Sequence, residues 1–283
     1  LLTFNSEKGL ASCLESLKRF AEIIVCDGNS TDRTREIAES FGARVISQYD
    51  TDEPNTPCAM DKAAVRERAM SASTRPWRFF MDSDDRLSEA AVEEIRSIVS
   101  DVLPKYFIWR MPTRIFIDGD EILNEATYPS YQTRLVHESV GARFKNPVHD
   151  HLAWDEKRFP VGTMQNYYDF HWSRDRVDEY WAYLSGYAKR ELQTIRRLTF
   201  LSLVDQLYRR LRTIAGYVFW RLPSMYSKWG FKDSMPLWIE LTIVRYHTLL
   251  FFGMIGKYLG TRFCTVVLME TLRRKDLNRI LSN

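Results

Sequence analysis

The chain has 283 residues, 45% of them hydrophobic and 27% charged, with a net charge of +3. That is ample apolar material for a core and an ordinary charge density for a soluble protein. Four scattered cysteines (Cys13, Cys26, Cys58, Cys264) form no C-x-x-C pair, which argues for a reducing compartment and against a structural zinc site.

Leu1 to Phe4 reads as the end of a strand, with no initiator Met and no signal peptide, so a few residues are expected to precede it. Asn5 or Ser6 can cap a helix whose apolar face is Leu10, Cys13, Leu14 and Leu17. Glu22 to Asp27 is a second buried strand, followed by the turn Gly28-Asn29-Ser30. Ser30 or Thr31 caps a helix through Phe41, closed by Gly42. Ala43 to Ser47 is a third strand. A polar stretch with Pro54 and Pro57 leads into a helix from about Met60 to Ser73. The aromatic run from Trp77 to Met81 is a fourth strand. Val92, Ile95, Val99 and Val102 then mark one face of a helix that starts near Ser88. Strands alternating with helices in this way predict an α/β fold with a mostly parallel sheet.

The pattern then changes. Tyr106 to Met111, Thr113 to Ile117 and Glu121 to Leu123 read as short strands, with Asp118-Gly119-Asp120 as a hairpin turn. Tyr131 to Val136 is another strand. From Val177 onward the chain reads as helical and rich in aromatics and Arg. The boundary falls between Phe159 and Arg176, and we take residues 1–170 as one domain and 171–283 as a helical C-terminal region.

The fourth strand ends in Asp82-Ser83-Asp84-Asp85. Open α/β sheets bind ligands at the carboxyl edge of their strands. Carboxylates packed this closely repel one another unless a cation or a proton intervenes. Mg²⁺ commonly takes one or two carboxylates together with substrate phosphates. An acidic loop capping the following helix is the plainer alternative. Other polar residues gather at corresponding strand ends: Asn5 and Glu7 after the first, Asp27, Ser30 and Asp32 after the second. Singly, Asn5, Ser30 and Asp32 are good helix caps. Together they suit a nucleotide pocket.

Thr3-Phe4-Asn5-Ser6-Glu7, Ile24 to Thr34 and Phe80-Met81-Asp82-Ser83-Asp84-Asp85, in this order and spacing, resemble the family 2 glycosyltransferases of the GT-A fold. The likeness is to the subgroup that includes lipopolysaccharide core glucosyltransferase-like proteins. It implies a Rossmann-like catalytic domain in which Asp27 contacts the base or ribose and Asp82 and Asp84 hold Mg²⁺ or Mn²⁺ and the diphosphate. Lys62 falls where that subgroup often has a Lys before a helix; an exposed helix Lys is the alternative.

A second motif set runs Tyr131-Gln132-Thr133-Arg134-Leu135-Val136, then Asn146-Pro147-Val148-His149-Asp150-His151. The family has a similar Tyr-Gln-x-Arg-Leu segment followed by Val-His-Glu, so Asp150 stands where the family has Glu. An acceptor hydroxyl must lose a proton as it attacks the anomeric carbon, and a carboxylate within hydrogen-bond reach can take it. Asp150 is the expected base, with His149 and His151 as orienters or alternatives. By the same resemblance His171 is a further metal ligand; a packed His between aromatics is the alternative.

From Lys189 to Lys232 there are ten Lys or Arg against two acids. The longest uncharged apolar run, Tyr246 to Gly256, is shorter than the roughly 20 residues a membrane span needs. We expect amphipathic helices on an anionic membrane surface, with a helical appendage as the alternative. No nucleic-acid-binding signature is present. The resemblance therefore implies an inverting, metal-dependent glycosyltransferase. It would take a nucleotide-sugar donor, UDP-linked by preference, and a lipid-linked or envelope glycan acceptor, and would lie peripherally on the cytoplasmic face of the cell membrane. The alternatives are a non-catalytic membrane-bound nucleotide-sugar-binding protein and a nucleotidyltransferase. The latter calls for a Gly-rich basic loop after the first strand, which Asn5-Ser6-Glu7-Lys8-Gly9 does not match.

Overall fold

The computed structural model of the chain describes residues 1–51, 53–54, 61–122, 130–146, 150–195, 199–231 and 234–260. Strands β1 (Leu2–Thr3), β2 (Ile24–Asp27) and β3 (Arg44–Ser47) pair in parallel in that order. Helix α1 (Glu7–Ser16) links β1 to β2, and α2 (Thr34–Ser40) links β2 to β3. The 3.6-residue spacing of α1 puts Leu10 and Leu14 on one face, where they pack with Val25, Ala38 and Ala43. Helix α2 starts later than its Ser/Thr signal suggests, because Ser30 is taken by another partner. Its N–H donates to Asp27 Oδ2 at 2.8 Å and its hydroxyl to Asp27 Oδ1 at 2.6 Å. Gly42 closes α2 at φ +73°, a backbone region that costs a side chain strain.

Helix α3 (Lys62–Ser71) is capped by Asp61, whose carboxylate accepts from Ala64 N at 2.9 Å. The chain continues through β4 (Trp77–Phe79), β5 (Asp85–Leu87), α4 (Glu89–Ser100), β6 (Ile108–Ile117), β7 (Asp120–Ile122), β8 (Tyr131–His137), β9 (Arg143–Lys145), β10 (His151–Ala153), β11 (Gly162–Thr163) and β12 (Tyr168–Trp172). The fourth strand joins a second, mixed sheet of order β4-β8-β6-β12-β5, with β7 and β11 also paired to β6. Parallel pairing joins β1–β3 and, in this second sheet, β6 with β11 and with β12; the other pairings of that sheet's main path are antiparallel. A single parallel bridge, Leu2 to Asp82, ties the acidic cluster to β1.

Three local expectations change. The segments on either side of Pro112 form one ten-residue strand, β6. Proline is tolerated there because it falls between the part of β6 that pairs with β11, ending at Arg110, and the part that pairs with β12, starting at Thr113. The acidic cluster is not a loop leading straight into a helix, since Asp85 opens β5 and Ser88 caps α4 from Ala91 N at 3.2 Å. Val102 is not on the apolar face of α4: it lies beyond the end of the helix and is 90% exposed.

The chain divides into two compact units. The first comprises the opening 121 residues and the segment ending at Trp172; the second takes Ile122 and the chain from Ser173 onward. The core of the first unit sits under the mixed sheet, where Met81, Ile95, Met111, Leu135, Met164 and Tyr168 are packed together. In the second unit α5 (Arg174–Thr194) and α6 (Phe200–Gly216) pack against α8 (Leu237–Tyr258). A π-helical turn at Tyr217–Arg221 and α7 (Leu222–Trp229) lie between α6 and α8. Polar ties sit between the helices: Arg210 Nη2 donates to Glu191 Oε1 at 2.5 Å, and the Tyr217 hydroxyl donates to buried Glu240.

The uncharged run from Tyr246 to Gly256 lies within a longer helix. Helix α8 runs 22 residues and is long and apolar enough, by length and composition alone, to cross one. Half of its most apolar stretch is buried, as in the central helix of a packed bundle. Glu240 does not interrupt it, because the Tyr217 hydroxyl satisfies its carboxylate.

Candidate active site

Two loops at the carboxyl ends of β1 and β2 are locked together by reciprocal hydrogen bonds. Asn5 N donates to Ser30 Oγ at 2.8 Å, and Thr31 N returns a bond to Asn5 Oδ1 at 3.0 Å. Glu7 N donates to Asp32 Oδ2, and Arg33 N to Glu7 Oε2, both at 3.1 Å. The second oxygen of Asp32 accepts from Thr34 N at 3.0 Å. Burial would raise the pKa of Asp32, but the bonds from Thr34 and Glu7 outweigh it and hold the carboxyl below its usual range. Asn5, at φ +46°, accepts the left-handed turn this exchange requires. Asn5, Glu7, Ser30 and Asp32 thus lie together, and each spends polar atoms on the other loop.

Asp27 lies deeper and is fully buried. Besides the two bonds from Ser30, its Oδ1 accepts from Thr3 Oγ1 at 2.8 Å. What this geometry gives it is the organisation of the Ser30 turn.

The acidic cluster divides by depth. The Asp82 side chain is 36% exposed, whereas Asp85 is fully buried. Asp85 Oδ2 accepts from Asp82 N at 3.0 Å and from the hydroxyl of Tyr168, itself fully buried on β12. Among the described residues Asp85 Oδ1 has no hydrogen-bond partner. Burial, and then the charge of Asp82, push the Asp85 pKa up to about 7. For Asp82, burial acts in the same direction. The positive charges of Arg66, Arg134 and Lys62 outweigh it and hold the carboxyl well below the usual range. Lys62, on the first turn of α3, therefore faces the cluster electrostatically. Arg134, buried on β8, lies over the Tyr168 ring at 4.3 Å.

Arg66, on α3, joins this cluster to the second motif. Its Nη2 donates to Asp82 Oδ1 at 3.0 Å and its Nε to Asp150 Oδ2 at 2.6 Å. The Arg66 and Asp150 side chains are 10% and 12% exposed. Asp150 precedes β10, which pairs antiparallel with β9. His151 is exposed, with Nδ1 at 3.4 Å from Asn146 Nδ2. His149 lies outside the described residues.

The structure does not bring His171 into a ligand set with Asp82 and Asp84. Its backbone N–H donates to Asp84 O at 3.2 Å, but its ring stacks on Phe116 at 4.6 Å. Burial lowers its pKa. Among the described residues no group of three or more His, Cys, Asp or Glu is placed to hold a metal ion. Stacking along the β6–β12 pair, where His171 lies opposite Phe116, accounts for the ring's position.

The model of glycosyl transferase family 2 matches residues 1–101, the segment that carries the interlocked loops and the acidic cluster. This segment belongs to glycosyl transferase family 2. Over 170 residues the chain is 28% identical to the lipopolysaccharide core biosynthesis glycosyltransferase LpsC of Rhizobium meliloti, covering 59% of this chain and 58% of LpsC. It is 35% identical over 96 residues to a PGL/p-HBAD biosynthesis glycosyltransferase of Mycobacterium bovis, covering 31% of this chain and 35% of that protein. The chain thus spans less than two thirds of the length of these relatives. Among solved structures, Staphylococcus aureus TarS aligns with 96% of this chain and 91% of its own, at a TM-score of 0.44 and 13% identity. Glucosyl-3-phosphoglycerate synthase from Mycobacterium tuberculosis, in complex with Mn²⁺, UDP and glucosyl-3-phosphoglycerate, aligns with 60% of this chain and 68% of its own, at a TM-score of 0.37 and 18% identity.

For a family 2 enzyme the acidic cluster suits a divalent cation that takes most of its ligands from a diphosphate and water. Asp82 is ionised and partly exposed at the sheet edge, and Asp84 follows two residues later. Such a cation needs only one or two protein carboxylates. A cavity of about 500 Å³ lies elsewhere, lined by Phe20, Trp77, Phe79 and Val99, and offers one carboxylate, Glu22. The Glu22 oxygens are already bonded to Ser73 and Thr74.

Sequence reading passed over Arg66, Tyr168 and, as a functional group, Arg134. Arg66 carried a signal: it sits at i+3 from Ala63 and i−4 from Met70, both buried. A charge on the apolar stripe of a helix needs a buried partner. Tyr168 carried none, because an aromatic in a strand is ordinary core.

Proposed function

We propose that the chain is an inverting glycosyltransferase that moves a sugar from a nucleotide-sugar donor, UDP-linked, to a hydroxyl of a lipid-linked or envelope glycan. The observation that carries this reading is the meeting of Asp82 and Asp150 on one guanidinium. It sets a carboxylate at the sheet edge beside one from the β9–β10 hairpin. In the proposed reaction the interlocked loops after β1 and β2 present the nucleoside side of the donor, with Asp27 holding their turn. Asp150 accepts the proton of the acceptor hydroxyl as that oxygen attacks the anomeric carbon from the side opposite the leaving group. Mg²⁺ or Mn²⁺ held by Asp82 and Asp84 would neutralise the departing diphosphate. Lys62 adds positive charge on the same side. The names of the relatives, which place LpsC in lipopolysaccharide core biosynthesis, support an envelope acceptor.

The second unit supports a membrane-surface setting on the cytoplasmic face. On α6 the side chains of Phe200, Leu201, Val204, Tyr208 and Leu211 are 64%, 79%, 47%, 63% and 52% exposed. Their spacing of three and four residues makes one apolar face. Arg209 and Arg212 lie on the same helix, both exposed, as anionic lipid requires.

Thermal-shift screening against UDP-, GDP-, ADP- and CMP-sugars with Mn²⁺ identifies the donor, since a ligand at about 100 times its Kd adds about 2.7 kcal/mol. Asp150→Asn then lowers turnover by roughly 10²- to 10⁴-fold with little change in donor affinity. Near-normal turnover in Asp150→Asn removes the base assignment.

A further inference from the structure

We propose that Arg66 is a positioning residue that holds the acceptor-side carboxylate Asp150 at a set distance from the donor-side carboxylate Asp82. The inference rests on the reading of Asp150 as the base. The connection runs through α3. One residue after Arg66, Glu67 accepts the backbone N–H of Phe144 on β9 and lies 3.6 Å from the Arg143 guanidinium. Successive residues of α3 therefore grip the β9–β10 hairpin at its base, through Glu67, and at Asp150, through Arg66. The same guanidinium reaches Asp82. Phe144 also packs against it, 5.7 Å from the guanidinium carbon.

A guanidinium is rigid and planar, so two of its nitrogens fix the relative placement of the groups they bind; an ammonium on a flexible stem does not. Burial opposes the Arg66 charge, and the two carboxylates more than reverse that opposition. A buried ion pair is weak evidence for stability as such, because desolvation offsets much of its attraction. Here it joins residues 16 and 84 positions from Arg66 in sequence. Within α3 the side chain is shielded from water, so it offers a fixed point, and a general base loses much of its rate when displaced by about 1 Å.

The test compares Arg66→Lys, Glu67→Gln and Asp150→Asn in the full chain, with UDP-glucose and Mn²⁺ as donor probe and donor hydrolysis as readout. Arg66→Lys keeps the charge and loses the planar fork. Its kcat is expected to fall about 10- to 100-fold while donor KM changes less than about threefold. Glu67→Gln loosens the same hairpin without touching either carboxylate, and its kcat falls in the same direction even if Arg66→Lys folds poorly. In the Asp150→Asn background Arg66→Lys adds little further loss, and the two melting-temperature shifts, read without donor, are non-additive. A rise in donor KM at constant kcat would make Arg66 a donor ligand and overturn the proposal. Normal kcat in both Arg66→Lys and Glu67→Gln, with Asp150→Asn inactive, overturns it while leaving the base in place. Additive melting shifts overturn it even if UDP-glucose is not turned over. An active Asp150→Asn overturns the base reading instead.

Discussion

Tyr168→Phe removes one oxygen from the floor of the acidic cluster and leaves the ring in place. That oxygen donates to the buried Asp85 carboxylate and accepts from Asp82 N at 3.3 Å. Asp82 N keeps its own bond to Asp85, so the main loss is the donor to a charged, buried acceptor. Hydrogen bonds to charged groups contribute about 1.5–3 kcal/mol, and a unit of this size loses about 2–4 °C of melting temperature per kcal/mol. At about pH 8, where Asp85 is ionised, we expect a fall of about 3–12 °C. The effect depends on pH with a definite sign. The Asp85 pKa is raised in the folded state, so folding holds its proton more tightly than the unfolded chain does. This contribution to stability is complete below about pH 4 and is lost as pH rises to about 7. The Tyr168 hydroxyl favours the ionised form, so its removal is felt more at about pH 8 than at about pH 5. Circular-dichroism melts of both proteins at the two pH values make the comparison. A melting temperature unchanged to within about 1 °C, or an equal loss at both pH values, would refute the reasoning.

Asp84→Asn keeps the shape of the cluster and removes one charge; it should abolish the Mn²⁺-dependent part of UDP binding measured by calorimetry. Equal wild-type affinity with and without excess EDTA would instead remove the metal from the site. Gly162→Ala would place a Cβ 2.4 Å from the Trp109 ring, which is held by a 3.1 Å bond from its Nε1 to Tyr106 O. Urea titration should register about 1–3 kcal/mol of destabilisation, and Trp109→Leu in the same chain should restore part of it. Leu201→Glu with Tyr208→Glu puts two charges on the exposed face of α6 and should reduce sedimentation with anionic liposomes while leaving the melting temperature within about 2 °C; unchanged sedimentation would exclude that face as the lipid contact.

Much of the first unit was legible in local pattern. Leu10 and Leu14 announce the buried face of α1, Gly42 the end of α2, and an apolar run ending in Asp82 the sheet edge, because each signal depends on residues within one or two turns of one another. Asp118 and Gly119 likewise take the left-handed conformations of their hairpin turn. What the pattern does not contain is pairing across the chain. The fourth strand has the composition of a parallel core strand yet binds β8 antiparallel, and composition is the same in either ladder. The burial of Glu240 in α8 is accounted for only when Tyr217, 23 positions away, meets it. The role of Asp85 also depends on a distant partner: the three carboxylates of the cluster look equivalent, and it is Asp85 that meets Tyr168, 83 positions away, in the core, while Asp82 stays partly exposed. Arg66 is the plainest case. Its place on an apolar stripe says that a charge is buried, but its partners stand 16 positions away in one direction of the fold and 84 in another. Local periodicity is set by the backbone and is present in any short window; a buried charge is stabilised only by groups that the completed fold carries to it.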